Sequence, residues 1–251
     1  MEQVLNPTIK EYDIRSYEVN ANNEIKPHAL LHYFEDIAYI AAEEYGFGYS
    51  VTYPQGYGWF LLKYNIEIEK FPSAWEKIKV RTWPCEYRGI QCRREFEVYN
   101  ANDERIGAIS SLWVLIDINS KRIANARKLL TFPPLETKTA TEATFEKIPE
   151  ITEVTKEQTI VASYDDIDIN QHVNNSNYIK WATKILDDEF LMQNSMKKIE
   201  ILYKNEVKCG AKTISKVKID NENNITTHVF IDEETNVESA QIKIEWKKRT
   251  N

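Results

Sequence analysis

One pattern occurs twice in this chain, and the repetition constrains the fold more than any other feature. In the first half, SYEVNANNEIKPHALLHYFEDIA reads as a strand, a polar turn and a helix. Leu31, Phe34, Ala38, Ala41 and Tyr45 fall at helical spacing on one face. In the second half, ASYDDIDINQHVNNSNYIKWATKIL reads the same way, with Tyr178, Trp181, Ala182, Ile185 and Leu186 as the stripe. Aligning Tyr17 with Tyr164 places Leu31 on Tyr178 and Phe34 on Trp181. Four runs follow the first helix: FLLKYNIEIEKF, EKIKVRTWPCEYR, QCRREFEVYN and AISSLWVLIDIN. KKIEILYKNEV, TISKVKID, ITTHVFID and ESAQIKIEW follow the second. Most alternate apolar with polar residues, as half-buried antiparallel strands do. Each half is then a helix packed on a sheet, in the α+β class.

The segment PPLETKTATEATFEKIPEITEVTKEQ separates the copies. It is polar, rich in Thr and Glu, and without a sustained period, which reads as a linker crossing a surface. The expected division is 1–132, a linker over 133–157, and 158–251. Only 7 glycines against 12% aromatic residues favour long regular elements with bulky packing.

The net charge of −7 excludes the dense positive field that non-specific nucleic-acid binding requires. A local basic patch for an acidic partner stays open. Cys85, Cys92 and Cys209 are odd in number and follow no repeated spacing, so neither a disulfide framework nor a zinc site is expected. Free thiols point to a reducing compartment. The opening MEQVLNPTIKEYDIRSYEV has no apolar signal core and no Arg/Ser-rich transit character, and no apolar run is long enough to span a membrane. A cytoplasmic location is the expectation. His28 and His32 lie four apart in HALLH, but neither HExxH nor a second ligand pair accompanies them. With no glycine-rich phosphate loop either, no metal and no cofactor is expected.

The densest polar stretch is YDDIDINQHVNNSNYIKW. Asp168, Asn170 and His172 alternate through the end of what reads as an extended segment, so their side chains project to one side. The helix begins near Asn174 or Asn175, either of which suits an N-cap. His172 then precedes a helix N-terminus whose partial positive charge disfavours imidazolium. A neutral histidine beside backbone N–H groups and a carboxylate can polarise a carbonyl and manage protons. The plainer alternative is that these residues only form Asx turns and a cap. The alignment puts Ala21, Asn23 and Ile25 at the matching first-half positions, so one copy would carry chemistry and the other would shape a pocket or an interface.

The same stretch closely resembles the signature of acyl-acyl-carrier-protein (acyl-ACP) thioesterases. Asp168, Asn170 and His172 match that family's D-x-N-x-H set, and HVNN with Tyr178 and Trp181 matches the helix behind it. GWFLLKYNIEIEKFPSAWEKIKVRTWP, SSLWVLIDINSKRIA and ILYKNEVKCG resemble its strands, so the likeness covers nearly everything but the linker. The resemblance implies a tandem (double) hot-dog fold, each half a long helix wrapped by an antiparallel sheet, of the bacterial type without a transit peptide. It also implies catalytic residues in the second half and an acyl tunnel shaped by the first. The family's catalytic glutamate falls on Glu206 in YKNEV. The family's next position is often a cysteine and here is Val207, which argues against a thiol nucleophile. Cys209 could be offered instead, but strand alternation would send positions 206 and 209 to opposite faces.

The implied reaction is hydrolysis of fatty acyl-ACP, releasing free fatty acid. Water would attack directly, with Glu206 as base, Asp168 and Asn170 orienting water and His172, and the helix N-terminal amides holding the oxyanion. The rival assignment makes Asp168 the nucleophile or base. Asn174, Asn175 and Tyr178 are expected on the substrate side. The implied partner is an acyl carrier protein presenting a fatty acyl-phosphopantetheine. Because that carrier is acidic, Arg88, Arg93, Arg94, Lys121, Arg122, Arg127 and Lys128 are candidates for a docking face. Two other functions remain: an acyl-coenzyme A thioesterase, and a non-catalytic acyl-binding protein of the same fold. Hot-dog proteins commonly pair their sheets, so a homodimer stands beside a chain that pairs its own two copies.

Overall fold

The computed structural model describes residues 6–85 and 89–249. The chain divides into two compact units, residues 1–25 with 30–144 and residues 26–29 with 145–251.

The first unit opens with β1 (Thr8–Asp13), a 3-10 turn at Ser16–Glu18 and a bridge between Val19 and Ile25, and then α1 (Pro27–Glu44). Proline at the first helical position costs no hydrogen bond and fixes φ for the helix. The far end closes at Gly46, whose φ of 79° suits a residue without Cβ. Gly46 N–H donates to Glu43 O and Phe47 N–H to Ala42 O, the paired bonds of a Schellman end. Phe47 then packs in one cluster with Ala42. A short α2 (Tyr49–Thr52) leads to β2 (Tyr57–Ile68), β3 (Lys77–Cys85), β4 (Gln91–Tyr99), β5 (Arg105–Asp117), β6 (Ile123–Ala124) and α3 (Ala126–Leu129). The sheet order is β1-β3-β4-β5-β2, antiparallel throughout, with β6 on β5.

Phe34 of α1 meets Phe96 of β4 at 5.4 Å between ring centroids, which fixes the sheet face beneath the helix. Arg94 shares that face of β4 with Phe96, while Arg93, Glu95 and Glu97 point to the other. The opposite face is covered by the segment read as a linker. Glu136 bridges Cys85, Trp83 Nε1 donates to Lys138 O at 2.9 Å, and Ala140 N donates to Glu95 Oε2 at 2.7 Å. Ser110 and Thr141 hydroxyls meet at 2.7 Å. A carboxylate with 0% exposure is affordable there because Arg93, Ser110 and the Ala140 amide all donate to it.

The second unit runs β7 (Lys156–Val161), a 3-10 turn at Tyr164–Asp166, α4 (Ser176–Lys184), α5 (Asp188–Gln193), β8 (Asn194–Tyr203), β9 (Lys212–Asp220), β10 (Ile225–Asp232) and β11 (Glu238–Lys248). Its order is β8-β11-β10-β9-β7, again antiparallel. Tyr178 of α4 makes edge-on contacts with Tyr203 of β8 and Phe230 of β10, at 5.7 and 5.5 Å. The second helix has 9 residues against 18 for α1, so the expected long helix in each half occurs in the first alone. β7 also begins two residues before the expected domain boundary at 158. Among the described residues, no helix is long and apolar enough to cross a membrane, and no group of three or more His, Cys, Asp or Glu side chains could hold a metal ion.

Candidate active site

The stretch 163–177 is a folded turn, where an extended segment was expected. Ser163 N–H and Oγ–H both donate to Asp166 Oδ2, at 2.9 and 2.7 Å, which closes the 3-10 turn as a capping box. Ile167 then bridges Val173. Between them, Asp168 N–H donates to His172 O and Gln171 N–H to Asp168 O. Asp168 Oδ1 accepts Asn170 N–H at 2.8 Å, an Asx turn, and Gln171 takes φ of 65°. The two-residue periodicity inferred for Asp168, Asn170 and His172 therefore does not apply. Asp168 is half-buried and builds the turn, Asn170 lies exposed, and His172 is half-buried.

His172 Nε2 lies 3.1 Å from Glu206 Oε2, with the two side chains 19% and 37% exposed. That separation is within proton-transfer reach, and the exposure lets water approach the pair. Glu206 is not in a strand: β8 ends at Tyr203, and the chain continues without regular structure to the turn at 209–210. The parity argument that set Glu206 against Cys209 is overturned for that reason. Cys209 is an exposed free thiol, and Val207 is buried. The Val207 carbonyl accepts Val173 N–H at 2.8 Å, clamping the histidine-bearing turn to the glutamate-bearing segment.

The start of α4 is organised by Asn174, whose Oδ1 accepts Ser176 N–H at 2.9 Å and Ser176 Oγ–H at 2.6 Å. Asn174 N–H donates to Asp166 O, and Asn177 N–H to Asn174 O. Asn175 presents its carbonyl to the Tyr203 hydroxyl at 3.0 Å. Tyr178 is 2% exposed in the aromatic cluster behind the helix, and burial raises its pKa. It supports the helix from the core side.

The first unit builds the same turn without the chemistry. Asn20 N–H donates to Glu24 O, Asn23 N–H to Asn20 O, and Asn22 N–H to Asn20 Oδ1 at 2.9 Å. Asn23 takes φ of 56° where Gln171 takes 65°. The structural equivalents of Asp168, Asn170 and His172 are thus Asn20, Asn22 and Glu24, one residue earlier than the sequence alignment placed them. Ile25 N–H donates to Pro72 O as Val173 does to Val207, which puts Phe71 opposite Glu206. Glu24 and Phe71 supply no histidine–carboxylate pair.

The basic candidates divide by burial. Arg93 is 18% exposed and paired with Glu95. Arg94 is 7% exposed, its Nη1 donates to Thr82 Oγ1 at 3.3 Å, and desolvation lowers its pKa to about 10. Neither offers a docking surface, because β4 turns one to each covered face of its sheet. Lys121, Arg122, Arg127 and Lys128 are exposed. Arg88 lies outside the described residues.

Family models of the acyl-ACP thioesterase N-terminal and C-terminal domains match residues 6–130 and 150–248. The chain belongs to the acyl-ACP thioesterase family. Among curated members it is 26% identical, over 78% of its length, to oleoyl-acyl carrier protein thioesterase 2 of Arabidopsis thaliana, and 22% identical, over 82%, to a palmitoyl-acyl carrier protein thioesterase of Cuphea hookeriana. It spans 59% and 52% of those two proteins. Among solved structures, an acyl-ACP thioesterase from Bacteroides thetaiotaomicron superposes with a TM-score of 0.86 at 21% identity, covering 96% of this chain and 98% of that one. The 12:0-ACP thioesterase from Umbellularia californica gives 0.85 at 18% identity, covering 97% and 98%. The α+β, hot-dog architecture expected from the sequence is the fold these likenesses show.

Two features of this acyl-ACP thioesterase family member escaped the sequence reading. Ser163 and Asp166 stand at capping-box spacing, a signal that was there to be read. The Tyr203 hydroxyl bond to Asn175 spans 28 positions and leaves no local signature.

Proposed function

We propose that this chain hydrolyses the thioester of a fatty acyl-ACP, releases the free fatty acid and so ends chain elongation. The observation that carries the reading is the 3.1 Å approach of His172 to Glu206, made in one of two otherwise parallel turns within a family of thioesterases. A thioester is already an activated acyl group, so the chemistry needs a positioned water, a proton acceptor and donors for the oxyanion. Glu206 is the base in this reading, and His172, with its Nε2–H towards the carboxylate, orients it and steadies its charge. Water attacks the carbonyl carbon as its proton passes to Glu206; collapse of the tetrahedral intermediate breaks the carbon–sulfur bond, and the proton leaves with the thiol.

The geometry narrows the oxyanion donor. The N–H groups of Val173, Asn174, Ser176 and Asn177 are engaged by Val207, Asp166, Asn174 and Asn174. Within Val173–Asn177, the Asn175 N–H is the amide that these bonds leave to donate to a substrate oxygen. Val207 at the position often held by cysteine in the family leaves no thiol beside Glu206 in sequence, which supports direct attack by water.

The deciding experiment is fatty-acid release from a panel of acyl-ACP thioesters by wild type, His172→Ala and Glu206→Gln. Turnover by wild type and its loss in both variants is the expected result. A folded wild type silent on every carrier-bound substrate but active on acyl-coenzyme A would replace the substrate class. Silence on both would leave an acyl-binding protein.

A further inference from the structure

Tyr203 is the last residue of β8, 3% exposed and packed against Tyr178. Its hydroxyl donates to Asn175 O at 3.0 Å. One end of this tie lies three residues before Glu206, and the other lies three residues after His172. It therefore joins the two segments that carry the reacting pair, beside the backbone clamp from Val173 to Val207.

The first unit provides an internal control. Glu69 and Lys70 N–H both donate to Ile106 O, as Lys204 and Asn205 N–H donate to Ser239 O, so Ile68 stands where Tyr203 stands. Ile68 is buried and cannot donate a hydrogen bond, and Pro27 occupies the place of Asn175. Yet the first unit keeps the Asx turn, the left-handed residue and the backbone clamp from Ile25 to Pro72. The hydroxyl tie is thus dispensable for building the turn. It occurs in the unit that also has the histidine–glutamate pair.

We infer that Tyr203 is a positioning residue for hydrolysis: by holding the Asn175 carbonyl it fixes the start of α4, and with it the Asn175 amide, against the Glu206 segment. The inference rests on the hydrolase reading above. A hydroxyl that acts only on the placement of the reacting groups alters the chemical step more than substrate capture, since small misplacements near a reacting centre are costly in rate.

Tyr203→Phe removes the hydroxyl and keeps the ring. With palmitoyl-ACP and oleoyl-ACP as substrates, its kcat should fall by about ten- to a hundredfold while KM stays within about twofold. The backbone amide resonances of 172–176 should shift. If Tyr203→Phe does not fold, 3,5-difluorotyrosine placed at 203 keeps both ring and hydroxyl while changing donor strength, and kcat should change at constant KM. A folded variant with wild-type kcat, or one altered in KM alone, overturns the inference. His172→Ala and Glu206→Gln are assayed alongside: wild-type turnover in both removes the hydrolase site itself, whereas their inactivity beside a fully active Tyr203→Phe removes only the role of Tyr203.

Discussion

Glu206 owes its placement to its neighbour. The Val207 carbonyl is fixed by Val173 N–H, so the glutamate side chain leaves a clamped backbone and meets His172 in the open. Glu206→Gln preserves size and removes the basic oxygen, and turnover should fall by about a hundredfold or more. Cys209→Ser should leave the proposed turnover unchanged, and iodoacetamide should not abolish it through Cys209; inactivation there would restore a thiol route. A second residue-scale expectation concerns His228, which is 0% exposed with Nε2 2.9 Å from Thr226 Oγ1. Burial lowers its pKa from 6.5 to about 3, so the native protein holds the ring neutral. Unfolded chains take up that proton once the pH drops below about 6.5. The contribution is therefore complete above that pH and is lost as pH falls towards about 3. Denaturant titrations should show wild type losing more stability than His228→Gln over that window, and parallel pH profiles would refute it. Sequence could name Glu206 through resemblance, but it could not bury Arg94 or pair Arg93 with Glu95. Alternation places neighbours on opposite faces without saying what covers either face.

At the scale of the element, the turn 168–172 separates a structural role from a chemical one. Asp168 Oδ1 accepts Asn170 N–H, and in the first unit an amide oxygen, Asn20 Oδ1, does the same for Asn22. Asp168→Asn should therefore keep the turn and the thermal midpoint. Asp168→Ala should cost about 1 kcal/mol, a few degrees, because the Asn170 amide loses its acceptor. Thermal melts of the two variants check this. Any turnover lost by a fully stable Asp168→Asn is then chemical, and complete loss would favour Asp168 over Glu206 as nucleophile or base. The turn was only half legible in the sequence. Its Asp, Asn and Gln content pointed to turn chemistry, but the period-two spacing of Asp168, Asn170 and His172 is shared by strands and by this hairpin-like loop. Gln171 at φ of 65° carries no glycine to announce the reversal. The alignment of the two copies was off by one residue from its anchor: the 3-10 turns begin at Ser16 and Tyr164, so Tyr17 is not the counterpart of Tyr164.

At the scale of the molecule, the duplication was readable because each copy spends its apolar residues in the same order: helix stripe, then four alternating runs. The strand order within each sheet was not readable, since it depends on pairings between residues far apart in sequence. Nor was the covering of the outer face by residues 136–141, a segment whose polar composition matches that of a free linker. Charge gives the last expectation. If the chain captures an acidic carrier, as proposed, it must do so against its own net −7, through a local positive field that salt screens. With Arg93 half-buried against Glu95 and Arg94 buried, the exposed candidates are Lys121, Arg122, Arg127 and Lys128, on the turn after β5 and on α3. Arg127→Glu combined with Lys128→Glu should raise KM for acyl-ACP about tenfold at low salt, with the difference shrinking as ionic strength rises. kcat, and turnover of acyl esters of small thiols, should hold, because those substrates carry no acidic protein surface. An equal rise in KM for both substrate types would place the effect on the acyl site and discard this face as the carrier's landing point.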